Sequence, residues 1–400
     1  MRCRGMRDML PAEVRCFRRV EQVFREVCLG WAYEEVRTPT IEHLHLFTSA
    51  GTLSPQMLGR VYSFLDWDGW SGERVVLRPD STIPVARLYV EKMRGHPVAK
   101  LFYVQNVLHF ARGDEPREDW QCGAEIIGDT QPAGDVELVL MGCEVLRRLG
   151  LVPGLRLSNP GILRAVLAQA GFDVAEQLAL YDRILDGDLG ALDEVQQRLP
   201  ESGPSLQPLL TLEGEGVPYL NNLRRALLPV IPEMACPLDD LATVAQVLTQ
   251  TGHNYRVSPT LVRNFEYYTG PVFHFQVDGQ KVGGGGRYDA LISLIGGPRV
   301  PASGFALDMG LLMALLPGEE QETQLRVGIR PAREDTKDLT ATFRLASALR
   351  SAGWDVEVAG APDRGARWEI VASAEGFVLA GQRLRGVDDV LRALAVASRD

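Results

Sequence analysis

The stretch LHFARGDEPREDWQCGAE, residues 108–125, constrains this chain more than any other. It joins two apolar runs, KLFYVQNVLHF (100–110) and WQCGAEIIG (120–128), through a loop dense in charge. Apolar runs rich in β-branched and aromatic residues, separated by a short polar segment, read as two strands of a sheet. A loop carrying Arg112 and Arg117 can close over an anionic ligand, because guanidinium groups match phosphate and carboxylate oxygens.

The neighbouring segments supply a sheet and helices to cover it. In EVRCFRRVEQVFREVC (13–28), Val14, Phe17, Val20, Phe24, Val27 and Cys28 recur at helical spacing, with arginines and glutamates on the other face. Pro11 just before them suits a helix start. VYSFLDWDG (61–69) and ERVVLRPD (73–80) read as a hairpin turning at Asp68-Gly69. A helix runs through VARLYVEKM (85–93), and DVELVLMGCEVLRRLGL (135–151) is a second strongly amphipathic helix. Residues 158–256 change character: leucine and alanine recur at helical spacing, and 6 Arg+Lys stand against 13 Asp+Glu, a difference of −7. This stretch reads as a mainly helical insert. Strands return in LVRNFEYYTGPVFHFQVDG (261–279), KVGGGGRYDALI and ASGFALDMG. Residues 317–324, PGEEQETQ, form a linker, and the tail reads strand, helix, strand, strand, helix.

Four hundred residues allow two or three domains. The formal net charge is −10, which does not draw a phosphate backbone over long range. The six cysteines are scattered with no CxxC pair, as suits reduced thiols in a cytosol. No apolar run approaches the ~20 residues of a membrane span, and the first residues lack a secretory signal pattern. The protein is therefore expected to be cytoplasmic. Gly283–Gly286 lacks the strand–GxxxxGK[ST]–helix context of a phosphate loop and reads as a close approach of backbones. His43 and His45 have no third metal ligand near them in sequence, so neither a metal nor a cofactor is expected.

Six strings in order, RGMRDMLP, VRTPTIE, LRPDSTIPVAR, the strand-loop-strand above, LVRNFEYYTG and GGGGRYDAL…GFAL, resemble histidyl-tRNA synthetase over residues 4–316. The resemblance implies an α+β fold: a class II aminoacyl-tRNA synthetase-like antiparallel sheet core over 1–316 with the 158–256 insert. A degenerate anticodon-binding-like small α/β domain follows over 325–400. RPDST…AR resembles the non-catalytic paralogue, the regulatory subunit of ATP phosphoribosyltransferase, where the synthetase usually has Glu-Gly-Thr after the proline.

The resemblance also assigns site residues. Asp80, Thr82 and Gln121 would hold the α-ammonium of histidine, Glu125 and Tyr267 its imidazole, and Arg263 its carboxylate, with Tyr268 lining the wall. These pairings are chemically sound, since an ammonium and an imidazole want acceptors and a carboxylate wants a guanidinium. Polar and aromatic residues of this kind also serve as turns, ion pairs and strand filling. The ATP side departs from the synthetase pattern. Its Phe-Arg-x-Glu reads Leu108-His109-Phe110-Ala111, the adenine-stacking aromatic is Asp119, and Gly-Leu-Glu-Arg reads Asp308-Met309-Gly310-Leu311. Losing one charge-assisted donor typically costs ~3–4 kcal/mol of transition-state stabilisation. Arg112 and Arg117 remain as candidate anion contacts, or as ordinary solvated loop residues.

The resemblance therefore implies no catalysis. It implies assembly with a short-form ATP phosphoribosyltransferase catalytic subunit, L-histidine as a feedback ligand, and a homodimer within a hetero-oligomer. Two alternatives stay open: a divergent enzyme forming histidyl-adenylate, and a histidine sensor in another pathway. The net −7 insert has the wrong sign for tRNA. The tail, with 12 Arg+Lys and 11 Asp+Glu, carries almost no net charge. Only APDRGAR separates its last two strands, where the synthetase has a longer link. No nucleic-acid partner is expected.

Overall fold

The two long apolar runs pair antiparallel along their whole length, Val98 opposite Gly128 and Leu108 opposite Glu118. The computed structural model describes residues 2–50, 59–67, 72–128, 131–185, 188–199, 206, 210, 213–261, 267–317, 326–358 and 367–398. Two units divide the chain, Met1–Pro317 and Gly318–Asp400.

In the first unit the strands are β1 (Glu34–Glu35), β2 (Ile41–His43), β3 (Ser63–Trp67), β4 (Gly72–Leu77), β5 (Val98–Leu108), β6 (Glu118–Gly128), β7 (Gly154–Ser158), β8 (Gly214–Glu215), β9 (Arg256–Val257), β10 (Val272–Val277), β11 (Gln280–Arg287) and β12 (Ala302–Asp308). Nine of them form one sheet in the order β1-β5-β6-β12-β11-β10-β7-β9-β8. Its pairings are antiparallel except β1–β5 and β7–β9. A small sheet, β2-β4-β3, stands apart. Its β3–β4 pairing runs from Ser63 opposite Val76 to Trp67 opposite Gly72. The expected turn at Asp68-Gly69 lies outside the described residues.

The alternation of β6 divides the sheet into two faces. Cys122, Ala124 and Ile126 point into the main core with Phe17, Val20, Phe24 and Val27 of α1 (Pro11–Gly30). Gln121, Gly123 and Glu125 point to the opposite face. The α1 helix starts where Glu13 accepts the Leu10 backbone N–H at 2.9 Å. Its apolar face is buried as the spacing predicts, except that Val14 is exposed. Phe24 is fully buried and meets Phe102 and Phe305 edge-on, a site where truncation to alanine typically costs ~3–5 kcal/mol.

Residues 82–93 are helical, as α2 (Thr82–Leu88) followed by a π turn, Tyr89–Met93. The expected second amphipathic helix is α3 (Ala133–Arg148), which packs against α1 and the sheet. The insert contains Pro160–Gln169, Val174–Leu185, Leu189–Arg198, Gly216–Leu227 and Ala235–Gln250 as helices. It also lends β8 and β9 to the edge of the large sheet. The sequence predicts strand from residue 261, yet the strand begins at Val272. Tyr267–Pro271 is irregular, and Val262–Glu266 lie outside the described residues. Pro271 has no N–H to give a ladder, and Gly270 lies so close to Arg287 that a Cβ would sit 2.7 Å from its Cδ.

In the second unit, β13 (Arg326–Pro331), β14 (Asp355–Val358), β15 (Trp368–Ser373), β16 (Gly376–Leu379) and β17 (Gln382–Leu384) form a five-stranded sheet ordered β14-β13-β15-β16-β17. The helices Thr336–Ser351 and Val387–Ala397 complete it. The hairpin β16–β17 is absent from the sequence reading. Its strands are too short to show a period, and its turn rests on positive φ at Ala380 and Gly381. The linker from Gly318 onward lies outside the described residues. Among the described residues no helix is long and apolar enough to cross a membrane.

Candidate functional site

The front face of the sheet carries a recess of about 240 Å³. That is smaller than the ~300–1,000 Å³ of drug-sized sites, so it suits a small ligand. Asp80 and Thr82 reach it from the start of α2, Gln121 from β6, and Tyr267 and Tyr268 from the irregular segment before β10. Gly284 and Gly285 of β11 and Gly304 of β12 form its floor, together with Phe305, Ala306 and Tyr288. The glycines are there because strands crowd them. A Cβ on Gly285 would fall 1.9 Å from the Gly304 carbonyl oxygen, and one on Gly304 would fall 1.6 Å from Glu125 Oε2. The close approach of backbones read from Gly283–Gly286 is therefore what the sheet contains.

Glu125 lies beneath the recess, 1% exposed. Its carboxylate accepts the hydroxyls of Thr82 at 2.7 Å, Tyr103 at 3.3 Å and Tyr288 in a short contact. Burial pushes its carboxyl up to about 8, against the three hydroxyl donors, which hold it down. Burial also raises Asp80, whose Oδ1 accepts the Ile83 N–H at 2.9 Å. Asp80 is therefore both the cap of α2 and a wall of the recess. Tyr267 meets Tyr268 edge-on and Tyr288 at a tilt of 30°, at ring separations of 5.0 and 5.2 Å. Burial raises all three phenols, so they stay neutral donors at physiological pH.

The structure thus brings together six of the seven residues assigned to an amino acid: Asp80, Thr82, Gln121, Glu125, Tyr267 and Tyr268. The seventh, Arg263, lies outside the described residues. Sequence reasoning missed Tyr288 and Tyr103, which hold Glu125. Tyr288 lies inside the quoted string GGGGRYDAL, and one step from Arg287 it alternates onto the front face. Tyr103 sits in β5, opposite Gly123 and beside the Glu125 position, a pairing visible once the register is fixed.

At the start of β6, where Asp119 and Asp308 adjoin Gln121, lies a second cavity of about 620 Å³. From the sheet and its loop come Asp114, Glu118, Asp119 and Asp308, and from the N-terminal segment Arg2, Arg4 and Arg7. Arg7 pairs with Glu13 at 2.5 Å and Arg2 with Asp8 at 3.6 Å. His109 Nδ1 stands 3.5 Å from Asp119. Asp308 caps the helix Met309–Leu315 by accepting the Leu311 N–H at 2.9 Å, and burial raises its carboxyl. Of the two candidate anion contacts, Arg112 is exposed at the loop tip. Arg117 is half-buried: it donates to Tyr62 at 3.0 Å and stacks over Phe110, and its backbone N–H meets the Gly5 carbonyl at 3.0 Å. Its Nε is buried with no hydrogen-bond partner among the described residues. His43 pairs with Glu73 at 2.9 Å. Among the described residues no group of three or more His, Cys, Asp or Glu could hold a metal.

Behind the recess, Arg287 joins three elements. It donates to Asp135 of α3 at 2.5 and 3.1 Å and to Asp240 of the insert at 2.8 Å, and Asp135 also accepts from Ser303 at 2.6 Å.

Known proteins match this architecture. A model of the histidyl-tRNA synthetase family covers residues 5–312. A Dehalococcoides mccartyi protein named ATP phosphoribosyltransferase regulatory subunit is 42% identical over 378 residues, spanning 94% of this chain and 92% of its own. A histidine–tRNA ligase from Desulforudis audaxviator is 34% identical, with 94% and 91% covered. Among solved structures, an ATP phosphoribosyltransferase regulatory subunit/histidyl-tRNA synthetase from Bacillus halodurans superposes with a TM-score of 0.76 at 26% identity, covering 91% of this chain and 94% of that one. The Nostoc histidyl-tRNA synthetase shares the fold, with a TM-score of 0.75 at 17% identity and 99% of each chain covered. The chain belongs to the histidyl-tRNA synthetase family, on the branch that carries the ATP phosphoribosyltransferase regulatory subunits.

Proposed function

We propose that this chain is a regulatory subunit that turns over no substrate. It assembles, as a homodimer within a hetero-oligomer, with a short-form ATP phosphoribosyltransferase catalytic subunit in the cytoplasm. There it raises the catalytic subunit's activity and conveys feedback by L-histidine. The observation that carries this reading is the contrast between two neighbouring cavities. The recess keeps acceptors for an ammonium and an imidazole: Asp80, Thr82, Gln121 and Glu125. The adjoining cavity presents Glu118, Asp119 and Asp308 from the sheet, where adenylation chemistry would need cations against a triphosphate. Two of the arginines on its other wall are paired to acids of their own segment. The names of the relatives from Dehalococcoides mccartyi support the same role.

Feedback requires histidine to prefer one assembly state, since equal affinity for both shifts nothing. The C-terminal unit is then a degenerate anticodon-binding-like domain without a tRNA to bind. The test is co-expression with short-form catalytic subunits, followed by activity with and without histidine. Complex formation, activation and inhibition by histidine are expected. Histidine-dependent ATP–pyrophosphate exchange well above background, with no complex formed, would refute the reading.

A further inference from the structure

One cross-strand row runs from the recess to the far edge of the sheet. Gly123 faces Ala306, Ala306 faces Gly284, Gly284 faces His274, His274 faces Arg156, and Arg156 faces Arg256. Directly opposed residues project on the same face, one strand spacing of ~4.8 Å apart. Glu125, two residues along from Gly123, puts an acid beside one end of the row, and the other end is basic. Lys281 joins the basic end, its Nζ 3.0 Å from His274 Nε2.

The charges at that end are not matched. Arg156 and Arg256 share one carboxylate, Glu213, at 2.8 and 3.2 Å, and the exposed Glu215 stands 3.8 Å from Arg256. Lys281 has no carboxylate at ion-pair distance among the described residues. Arg156 Nε is buried with no hydrogen-bond partner among them. His274 is half-buried, and a Cβ on Gly284, a residue of the recess floor, would lie 2.8 Å from its Cδ2. The imidazole thus borders the recess directly.

We propose that Lys281, His274 and Arg156 form an oxyanion subsite, for a phosphate or carboxylate group, one strand beyond the amino-acid recess. The donor chemistry fits. Lysine can only donate, so His274 Nε2 accepts from Lys281 and its proton sits on Nδ1. Burial, Lys281 and Arg156 hold the imidazole far down, at about 3, so it is neutral at physiological pH. The groups facing it are Lys281, Arg156, Arg256, Glu213 and Glu215. An oxyanion would receive N–H groups from Lys281 and, by ring rotation, His274 Nδ1, with the neighbouring Arg156 guanidinium adding positive charge. Charge-assisted bonds of this kind are the strong ones, and here they relieve the repulsion between neighbouring cations. The subsite does not depend on which amino acid the recess holds.

The test is isotope-edited NMR of the His274 ring and the Lys281 side chain at neutral pH in the full-length protein, with His274→Gln assigning the ring signal. Inorganic phosphate and acetate are titrated separately, each against sodium chloride at matched ionic strength. Saturable shifts with phosphate, acetate or both are expected, and the arm that saturates at the lower concentration names the group. Lys281→Met should weaken binding tenfold or more, and Lys281→Arg should keep most of it. Lys281 is exposed, so both variants should fold, which thermal melts verify. Shifts that chloride reproduces, or equal binding by Lys281→Met, would overturn the proposal.

Discussion

Replacing Gly304 by alanine isolates the link between sheet packing and the recess. The new methyl would lie 1.6 Å from Glu125 Oε2, 2.6 Å from its Cδ and 2.7 Å from the Tyr288 hydroxyl. The strand cannot retreat, because Gly304 is paired to Gly286 on one side and Glu125 on the other. The Glu125 side chain must therefore turn away and leave the hydroxyls of Thr82, Tyr103 and Tyr288. Each buried hydroxyl left without a partner costs ~1–3 kcal/mol. Tyr103 and Thr82 can partly re-pair with each other, so about two orphaned groups remain. With ~1 kcal/mol for the overpacked methyl, the expected loss is ~3–7 kcal/mol of unfolding free energy. Chemical denaturation followed by circular dichroism measures it. Gly30→Ala is the control, at the end of α1 with nothing within 4 Å of its Cβ position, and it should be neutral or slightly stabilising. On the histidine reading, calorimetry should also show affinity falling at least a hundredfold. A Gly304→Ala protein with wild-type stability would refute the claim that Glu125 is locked by the glycine floor.

Glu125→Gln should alter the pH dependence of stability. Between about 4.5 and 8 the folded chain keeps a proton on Glu125 that the unfolded chain has released. Stability therefore falls as pH rises through that window, by up to ~5 kcal/mol from this group, and urea titrations of the glutamine variant should lack that component. Arg287→Ala leaves Asp135 buried without its cation and should cost ~3–5 kcal/mol in the same assay, whereas Asp240→Asn, at the more exposed partner, should cost ~1 kcal/mol or less. Gly142→Ala would put a methyl 2.2 Å from the Phe275 ring between α3 and the sheet, and a thermal melt should report a loss of ~1–3 kcal/mol.

Much of the architecture was legible because its signals are periodic. The α1 face, the β5–β6 pair and the helix at 133–148 repeat apolar residues at spacings that only one geometry satisfies. The tail hairpin was not legible, since strands of three and four residues carry no period. Tyr267 and Tyr268, read from the sequence as strand residues, line the recess from an irregular segment instead. Proline and a glycine pressed on Arg287 end the strand, and that contact is tertiary. Tyr103 and Tyr288 show the limit most clearly. Nothing in their local sequence distinguishes them from ordinary strand aromatics; only the register that sets them on either side of Glu125 does.

Register also explains how directly paired residues come to line two different cavities. Gln121 and Asp308 are direct partners across β6 and β12, yet Gln121 lines the recess and Asp308 the adjoining cavity. Three glycines, Gly284, Gly285 and Gly304, pave much of the recess floor, and a side chain added at any of them collides with a neighbouring strand or with Glu125. The adjoining cavity is lined by carboxylate side chains, of which Asp308 caps a helix and Asp119 stands 3.5 Å from His109, so exchanging one of them disturbs at most a local contact and no strand pairing. Substitution is therefore cheaper in the adjoining cavity than on the glycine floor of the recess. If instead Asp119→Ala and Asp308→Ala each destabilised the fold by more than ~2 kcal/mol, those carboxylates would be structural necessities, and the asymmetry argued here would fail.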